Sequence, residues 1–303
     1  MIKLNYIVKP TIFDYSTNKE IIEELILEYP FLSAELCGRT ALGRGIFSLN
    51  IGNQDNSVIY AGGFHGSEWI TSLALLLFTE RLCHSIKHSK LLCGVDMKRA
   101  LSQLGVTIIP CVNPDGVEIA VHGKESAKNL RGFLDTIECD DISKWNANAM
   151  GVDINHNFNA GWKELRQMER EKGIDSPAPR QFGGAYPESE AETKALTRLC
   201  RIKQFRQCMA LHAQGEELYW QYGDYSPPQA NMMAKILADS CSYTLVTNAG
   251  LASHGGFKDW FISEMKRPGF TLEIGKGENP LPVSQLYEIY GRIEEALVLF
   301  SLM

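Results

Sequence analysis

Four short apolar runs constrain this chain more than any other feature. They are "SVIYAGG" (57–63), "GVTIIPCVNPDG" (105–116), "CMALHAQG" (208–215) and "GFTLEIG" (269–275). Each is nearly free of charge over its apolar part and too short for a buried helix, so each reads as a strand covered on both faces. A fifth run, "GIFSLNIG" (45–52), alternates like a strand and is followed by turn residues. Between them lie helical patterns. "KEIIEELILEYPF" (19–31) is amphipathic and ends at Pro30, and "WITSLALLLFTERLCHSIKH" (69–88) is apolar for its first three turns. Strands alternating with helices predict an α/β fold with a mixed, mostly parallel sheet flanked by helices. The stretch 118–187 is rich in Gly, Asn, Lys and Pro and develops no apolar period of its own. It reads as loops around a site, so residues 1–303 are taken as a single domain.

Composition excludes some functions. The net charge of -6 argues against nucleic acid as a partner. No run reaches the ~18 apolar residues of a membrane span. The N-terminal "MIKLNYIVKPTIFDYS" lacks an apolar core of signal-peptide length. The eight cysteines show no CxxC spacing, and several lie in apolar runs, such as Cys111. They read as buried free thiols, and the protein is expected in the cytoplasm. The oligomeric state is left open.

Polar residues stand where the strands end. His65 and Glu68 follow the first strand, His212 closes "CMAL", and Glu273 ends "FTL". Ligands of open α/β sheets bind outside the carboxyl ends of the strands. Two imidazoles and one carboxylate, here His65, Glu68 and His212, make a catalytic zinc set. Gly62, Gly63 and Gly66 let the chain bend closely enough to present the first two. Glu273 is then the base that takes a proton from water. A lone His-x-x-Glu is a weak signal by itself, since such pairs also sit on solvated helix faces. His84 and His88, four apart in "CHSIKH", read as exposed residues at the polar end of a helix. "GKGENP" opens no helix and is no dinucleotide loop. Neither a G-x-S-x-G elbow nor an H-E-x-x-H pair occurs.

With these residues in order, the chain resembles the zinc carboxypeptidase-type metallopeptidases. The likeness runs from about Tyr15 to the end through "FHGSEWIT", "VNPDGVEIA", "GVDINHNF", "ALHAQG", "ASHGGFKDWF" and "GFTLEIGKGENPLP". It implies one Zn2+ per chain on His65, Glu68 and His212, Glu273 as catalytic glutamate, and a sheet of about eight strands. Within the family, "GVDINHNFNAGW", "YPESEAET" and "EIGKGENPLP" most resemble the bacterial γ-D-glutamyl-diaminopimelate peptidases. The implied partner is a small cell-wall stem peptide.

Departures from the family pattern bear on substrate. Asn155-His156 stands where ordinary carboxypeptidases carry an Asn-Arg pair that grips a terminal carboxylate. A neutral His substitutes poorly for the fixed charge of Arg. Lys258, before Asp259-Trp260, falls at a position that lines the side-chain pocket in digestive relatives and suits a side chain ending in a carboxylate. The alternative is a surface lysine paired to Asp259 or a neighbour. A family tyrosine near the glycine pair is missing, which leaves His254 as the nearest polar residue for substrate contact. Asn146 occupies the place of a cation that polarises the scissile carbonyl, with Lys144 and Arg131 the nearest cations. An amide there still donates to an oxyanion. The rival readings are an ordinary metallocarboxypeptidase, a zinc deacylase of acylated amino acids, and an inactive wall-fragment binding protein.

Overall fold

The computed structural model describes residues 6–247 and 254–303. Eight strands form one sheet: β1 (Ser33–Arg39), β2 (Gly45–Gly52), β3 (Ser57–Ala61), β4 (Gly105–Ile109), β5 (Cys208–His212), β6 (Glu217–Tyr219), β7 (Thr244–Val246) and β8 (Gly269–Glu273). Their spatial order is β1-β2-β4-β3-β5-β8-β6-β7. The centre, β4-β3-β5-β8, is parallel. β2 and β6 run antiparallel to it at either side, which makes the sheet mixed and mostly parallel, as expected.

Every residue of β3, β4 and β5 is buried, which explains why these runs carry no polar stripe. Their side chains alternate between two cores. Val58 and Tyr60, Met209 and Leu211, and Phe270 and Leu272 pack with residues of the helices Ile70–Lys87, Ala230–Cys241 and Leu286–Leu302. Ile59, Ala61, Cys208 and Ala210 face the opposite core, with Leu196, Phe257 and Trp260. Continuing that parity places His212 on the second face. Glu273 shares it, because β8 pairs in parallel register with His212 beside Glu273. A one-residue slip in either strand would turn one of the two into the other core.

Several boundaries differ from expectation. The first helix spans Tyr15–Glu28, starting earlier because Asp14 caps it by accepting from the Thr17 N–H at 2.8 Å. "VNPDG" does not simply close a strand. β4 ends at Ile109, and Asn113 caps a helix, Pro114–His122, with Pro114 in its first turn. The stretch 118–187 contains a ten-residue helix, Trp162–Glu171, whose buried residues include Arg166 and Glu169, so no apolar period marks it. A small third core forms there around fully buried Trp145. Of the eight free cysteines, five are buried and Cys93 is exposed. No helix among the described residues is long and apolar enough to cross a membrane.

Candidate metal centre and substrate cleft

The loop after β3 is fixed before any metal is considered. Gly63 has φ +61, and a Cβ on it would lie 2.6 Å from Ser72 Oγ. A Cβ on Gly66 would lie 2.3 Å from the Gly116 carbonyl oxygen and 2.5 Å from that of Trp145, so no larger residue fits. Fully buried Asn113 donates from Nδ2 to the Phe64 carbonyl at 3.0 Å and accepts from the Gly116 N–H at 2.8 Å. One side chain thus caps a helix and sets the backbone just ahead of His65. Thr71 Oγ1 accepts from the Gly63 N–H at 2.9 Å and donates to the Glu68 carbonyl at 2.8 Å.

This loop turns His65 and Glu68 toward His212. His65 Nδ1 lies 2.8 Å from Glu68 Oε1, and His212 Nδ1 lies 3.1 Å from Glu68 Oε2. The three potential ligand atoms lie within 4.8 Å of one another. Behind them, His65 Nε2 meets Asp153 Oδ1 at 3.0 Å. Such a carboxylate fixes the ring so that the other nitrogen faces a metal. His212 Nε2 has no partner among the described residues, and its ring is held by stacking on Phe64 at 5.0 Å between centroids.

Electrostatics favour a cation here. Burial opposes ionisation of Glu68, yet His65 and His212 hold its carboxyl down at about 2. Burial alone would keep His65 neutral, but Glu68 and Asp153 outweigh it and push the imidazole well above its ordinary value. The surrounding carboxylates thus favour positive charge at His65, beside Glu68. His212 is held low by burial, in the neutral form a metal needs. The donor set, its convergence and the carboxylate behind His65 all fit zinc. Glu273 faces the same site. Burial, then the Glu68 carboxylate, push its carboxyl well above the usual range, a pressure that a dication beside it reverses.

The ligands open into a cavity of about 340 Å³. Asn155, His156, His254 and Glu273 line it, with Gln214, Glu217, Tyr219 and Asn279. Asn155 is braced by donating its N–H to Asp153 Oδ1 at 3.1 Å and accepting the Phe257 N–H at 3.0 Å. "YPESEAET" supports the same segment: Asn157 Nδ2 donates to Ser189 Oγ at 2.9 Å, and the Glu190 N–H donates to Asn157 Oδ1 at 3.1 Å. His254 keeps a buried Nδ1 with no partner among the described residues and lies edge-on to Tyr222.

Three expectations change. Lys258 does not line this cavity. It is buried, its ammonium pairs with Asp259 and donates to the Gln221 carbonyl at 2.8 Å, and a buried ammonium needs such partners. The alternative reading had the Asp259 pair right and the exposure wrong. His156 is not the poor, neutral substitute expected. Burial lowers its pKa, but Asp153 and Glu169 raise it above the ordinary value overall. Asn146 lies beside the site rather than in this cavity, with its Oδ1 accepting from Ser67 Oγ at 2.6 Å. Arg131 pairs with exposed Glu125 and lines neither wall. His84 is half-buried and His88 exposed, and neither joins a ligand cluster among the described residues. Ala252 and Ser253 of "ASHGGFKDWF" lie outside the described residues. Sequence reasoning missed Asp153, although it sits inside "GVDINHNF". It also missed Glu169, which no motif marks.

Comparison with known proteins agrees with this geometry. Residues 19–292 match the zinc carboxypeptidase family. A γ-D-glutamyl-L-diamino acid endopeptidase of Lysinibacillus sphaericus is 33% identical over 290 residues, covering 95% of this chain and 71% of that protein. Among solved structures, bovine thrombin-activatable fibrinolysis inhibitor superposes with a TM-score of 0.73 at 20% identity, covering 96% of this chain and 97% of that one. A murein-tripeptide amidase of Escherichia coli O157 gives 0.54 at 21% identity, covering 87% and 91%. These two likenesses concern the fold.

Proposed function

The chain belongs to the zinc carboxypeptidase family and is a zinc metallopeptidase, and we propose that it cuts the stem peptide of the bacterial cell wall at the amide between γ-linked D-glutamate and the following diamino acid. The observation that carries hydrolysis is the placement of Glu273, in register with His212 and facing the His65–Glu68–His212 cluster. The Lysinibacillus sphaericus relative, named for that bond, supports the substrate. Residues 1–303 act as one catalytic domain in this reading, and the eight free cysteines suit a reducing cytoplasm.

His65, Glu68 and His212 would hold the zinc. Zinc supplies a Lewis acid there, acidifying water and polarising a carbonyl. Glu273 accepts the proton of the attacking water and returns it to the leaving amine nitrogen. Asp153 keeps the His65 ring in its working orientation throughout. Asn146 lines the adjoining cavity with its Oδ1 engaged by Ser67, so its Nδ2 would be offered from the acyl side of the scissile bond as charge develops on the carbonyl oxygen. Asn155 and His156 bind a carboxylate on the leaving residue, in the cavity that His254 also lines.

The test is incubation of the zinc-loaded protein with L-Ala-γ-D-Glu-meso-diaminopimelate, followed by mass spectrometry. Release of L-Ala-D-Glu and free diaminopimelate supports the reading. One observation favours a second reading. Burial lowers the His156 pKa, but Asp153 and Glu169 raise it above its ordinary value overall, which favours the protonated form able to hold an ordinary C-terminal carboxylate. A higher kcat/KM on α-linked peptides, with loss of one C-terminal residue, would make the protein an ordinary carboxypeptidase.

A further inference from the structure

The cleft continues past the metal ligands. A second cavity, of about 250 Å³, shares Gln214 and Asn279 with the first and is walled by Ser67, Asn146, Lys144 and Arg180. The residues assigned to the leaving group, Asn155, His156 and His254, line only the first cavity. A peptide whose leaving residue lies against Asn155 and His156 therefore extends its acyl residue toward Ser67 and Asn146, where Lys144 and Arg180 stand.

Both cations are presented by anchored backbone. The Pro179 carbonyl, just before Arg180, accepts from the N–H groups of Asn146 and Ala147, each at 2.9 Å. The Gln181 N–H, just after it, donates to Asp153 Oδ2 at 2.9 Å, on the carboxylate that orients His65. Arg180 is thus tied on one side to the segment of Asn146 and on the other to the support of the metal site. Lys144 precedes Trp145, which is wholly buried. The charges themselves are little used. Arg180 has no ion-pair partner among the described residues. Lys144 lies 3.4 Å from Glu278, whose side chain is 87% exposed, and such a solvated pair holds weakly. Two cations against one exposed carboxylate, Glu278, which lines the same cavity, leave this wall net positive.

Resting on the peptidase reading above, we infer that Lys144 and Arg180 form a carboxylate subsite for the acyl residue, which selects peptides that keep a free carboxylate next to the scissile amide. A γ-linked glutamate has that group. Its side-chain carboxyl is consumed in the amide, so its α-carboxylate stays free, a short chain away from the carbonyl. An α-linked residue lacks it, because its α-carboxyl is the scissile carbonyl.

The test uses the zinc-loaded protein and two product-like probes, L-Ala-D-Glu and L-Ala-D-isoglutamine. They share the γ-carboxylate that faces the metal and differ only in carboxylate against carboxamide at the α position. Calorimetric titration is expected to show about tenfold tighter binding of L-Ala-D-Glu, the size that two partly solvated ion pairs sustain. The exposed double variant Lys144→Gln, Arg180→Gln should keep its zinc and lose the preference. Equal binding of both probes by the unaltered protein, or a preference that survives in the variant, overturns the subsite. Cleavage of the tripeptide reports separately. A preference without cleavage keeps the subsite and removes the γ-glutamyl peptidase reading, while cleavage without a preference does the reverse.

Discussion

Glu169 Oε1 accepts from the His156 ring at Nδ1 across 2.7 Å, and its other oxygen is held by Arg166 and by the Gly183 N–H at 3.1 Å. Glu169 and Arg166 are both buried. The imidazole is therefore aimed from behind. Nδ1 is engaged by Glu169, and His156 lines the cleft. An imidazole at this position is a shorter group than Arg, and its charge depends on its neighbours.

Glu169→Gln should raise KM by about tenfold with kcat little changed, because binding of the leaving residue's carboxylate weakens while the proton chemistry at Glu273 is untouched. The sign on pH follows from the raised pKa of His156. Its cationic form persists to higher pH with Glu169 beside it, so substrate binding weakens as pH rises through the His156 pKa. In the variant that weakening moves to lower pH. A KM–pH profile unchanged by the substitution would remove the role assigned to Glu169.

Metal content tests the centre directly. His65→Ala with His212→Ala should abolish stoichiometric zinc. Asp153→Asn, which keeps every ligand but weakens the hold on His65 Nε2, should lower zinc affinity by about 10- to 100-fold. Stoichiometric zinc in the double variant would place the metal elsewhere.

Glu273→Gln should retain zinc and fold yet lose most turnover, since an amide cannot accept a proton from water. Rates equal to the unaltered enzyme would assign the base to another group. Glu217, opposite Glu273 in the β6–β8 register and lining the same cleft, would then be the first to examine.

What the sequence made legible follows from where the physical signal lies. β3, β4, β5 and β8 are buried on both faces, so their apolar runs and the polar residues at their ends were plain. Parity and parallel register then put His212 beside Glu273. β6 and β7 have only three residues each, too few to show alternation, and β1 is a half-exposed edge. Glu169 was invisible because its helix buries charge as well as leucine. Lys258 was misplaced because a sequence shows that a lysine is present, while its partner Asp259 decides whether the ammonium faces the substrate or turns inward. His156 reads as neutral in isolation, and its pKa is raised only through residues three before it and thirteen after it in the chain.

Glu192, in "YPESEAET", should make the protein less stable as pH rises from the acid range toward about 8. Its carboxyl is buried, with Oε2 accepting from Asn148 Nδ2 at 3.2 Å and Oε1 without a partner among the described residues. Burial first, then the carboxylates of Asp115 and Glu190, push its pKa up from 4.5 to about 8. Between those values the folded protein holds a proton that the unfolded chain has released. Stability therefore falls as pH rises through this window, at up to about 1.4 kcal/mol per pH unit. Asn148 also accepts the N–H groups of Met150 and Val152, at 2.9 and 3.1 Å, which ties Glu192 to the segment leading to Asp153 and Asn155. Glu192→Gln cannot ionise and should flatten the pH dependence. Urea unfolding at about pH 5 and about pH 8 checks it: the unaltered protein should lose midpoint stability between the two, and the variant should lose much less. An equal loss in both would mean that some other group carries the transition.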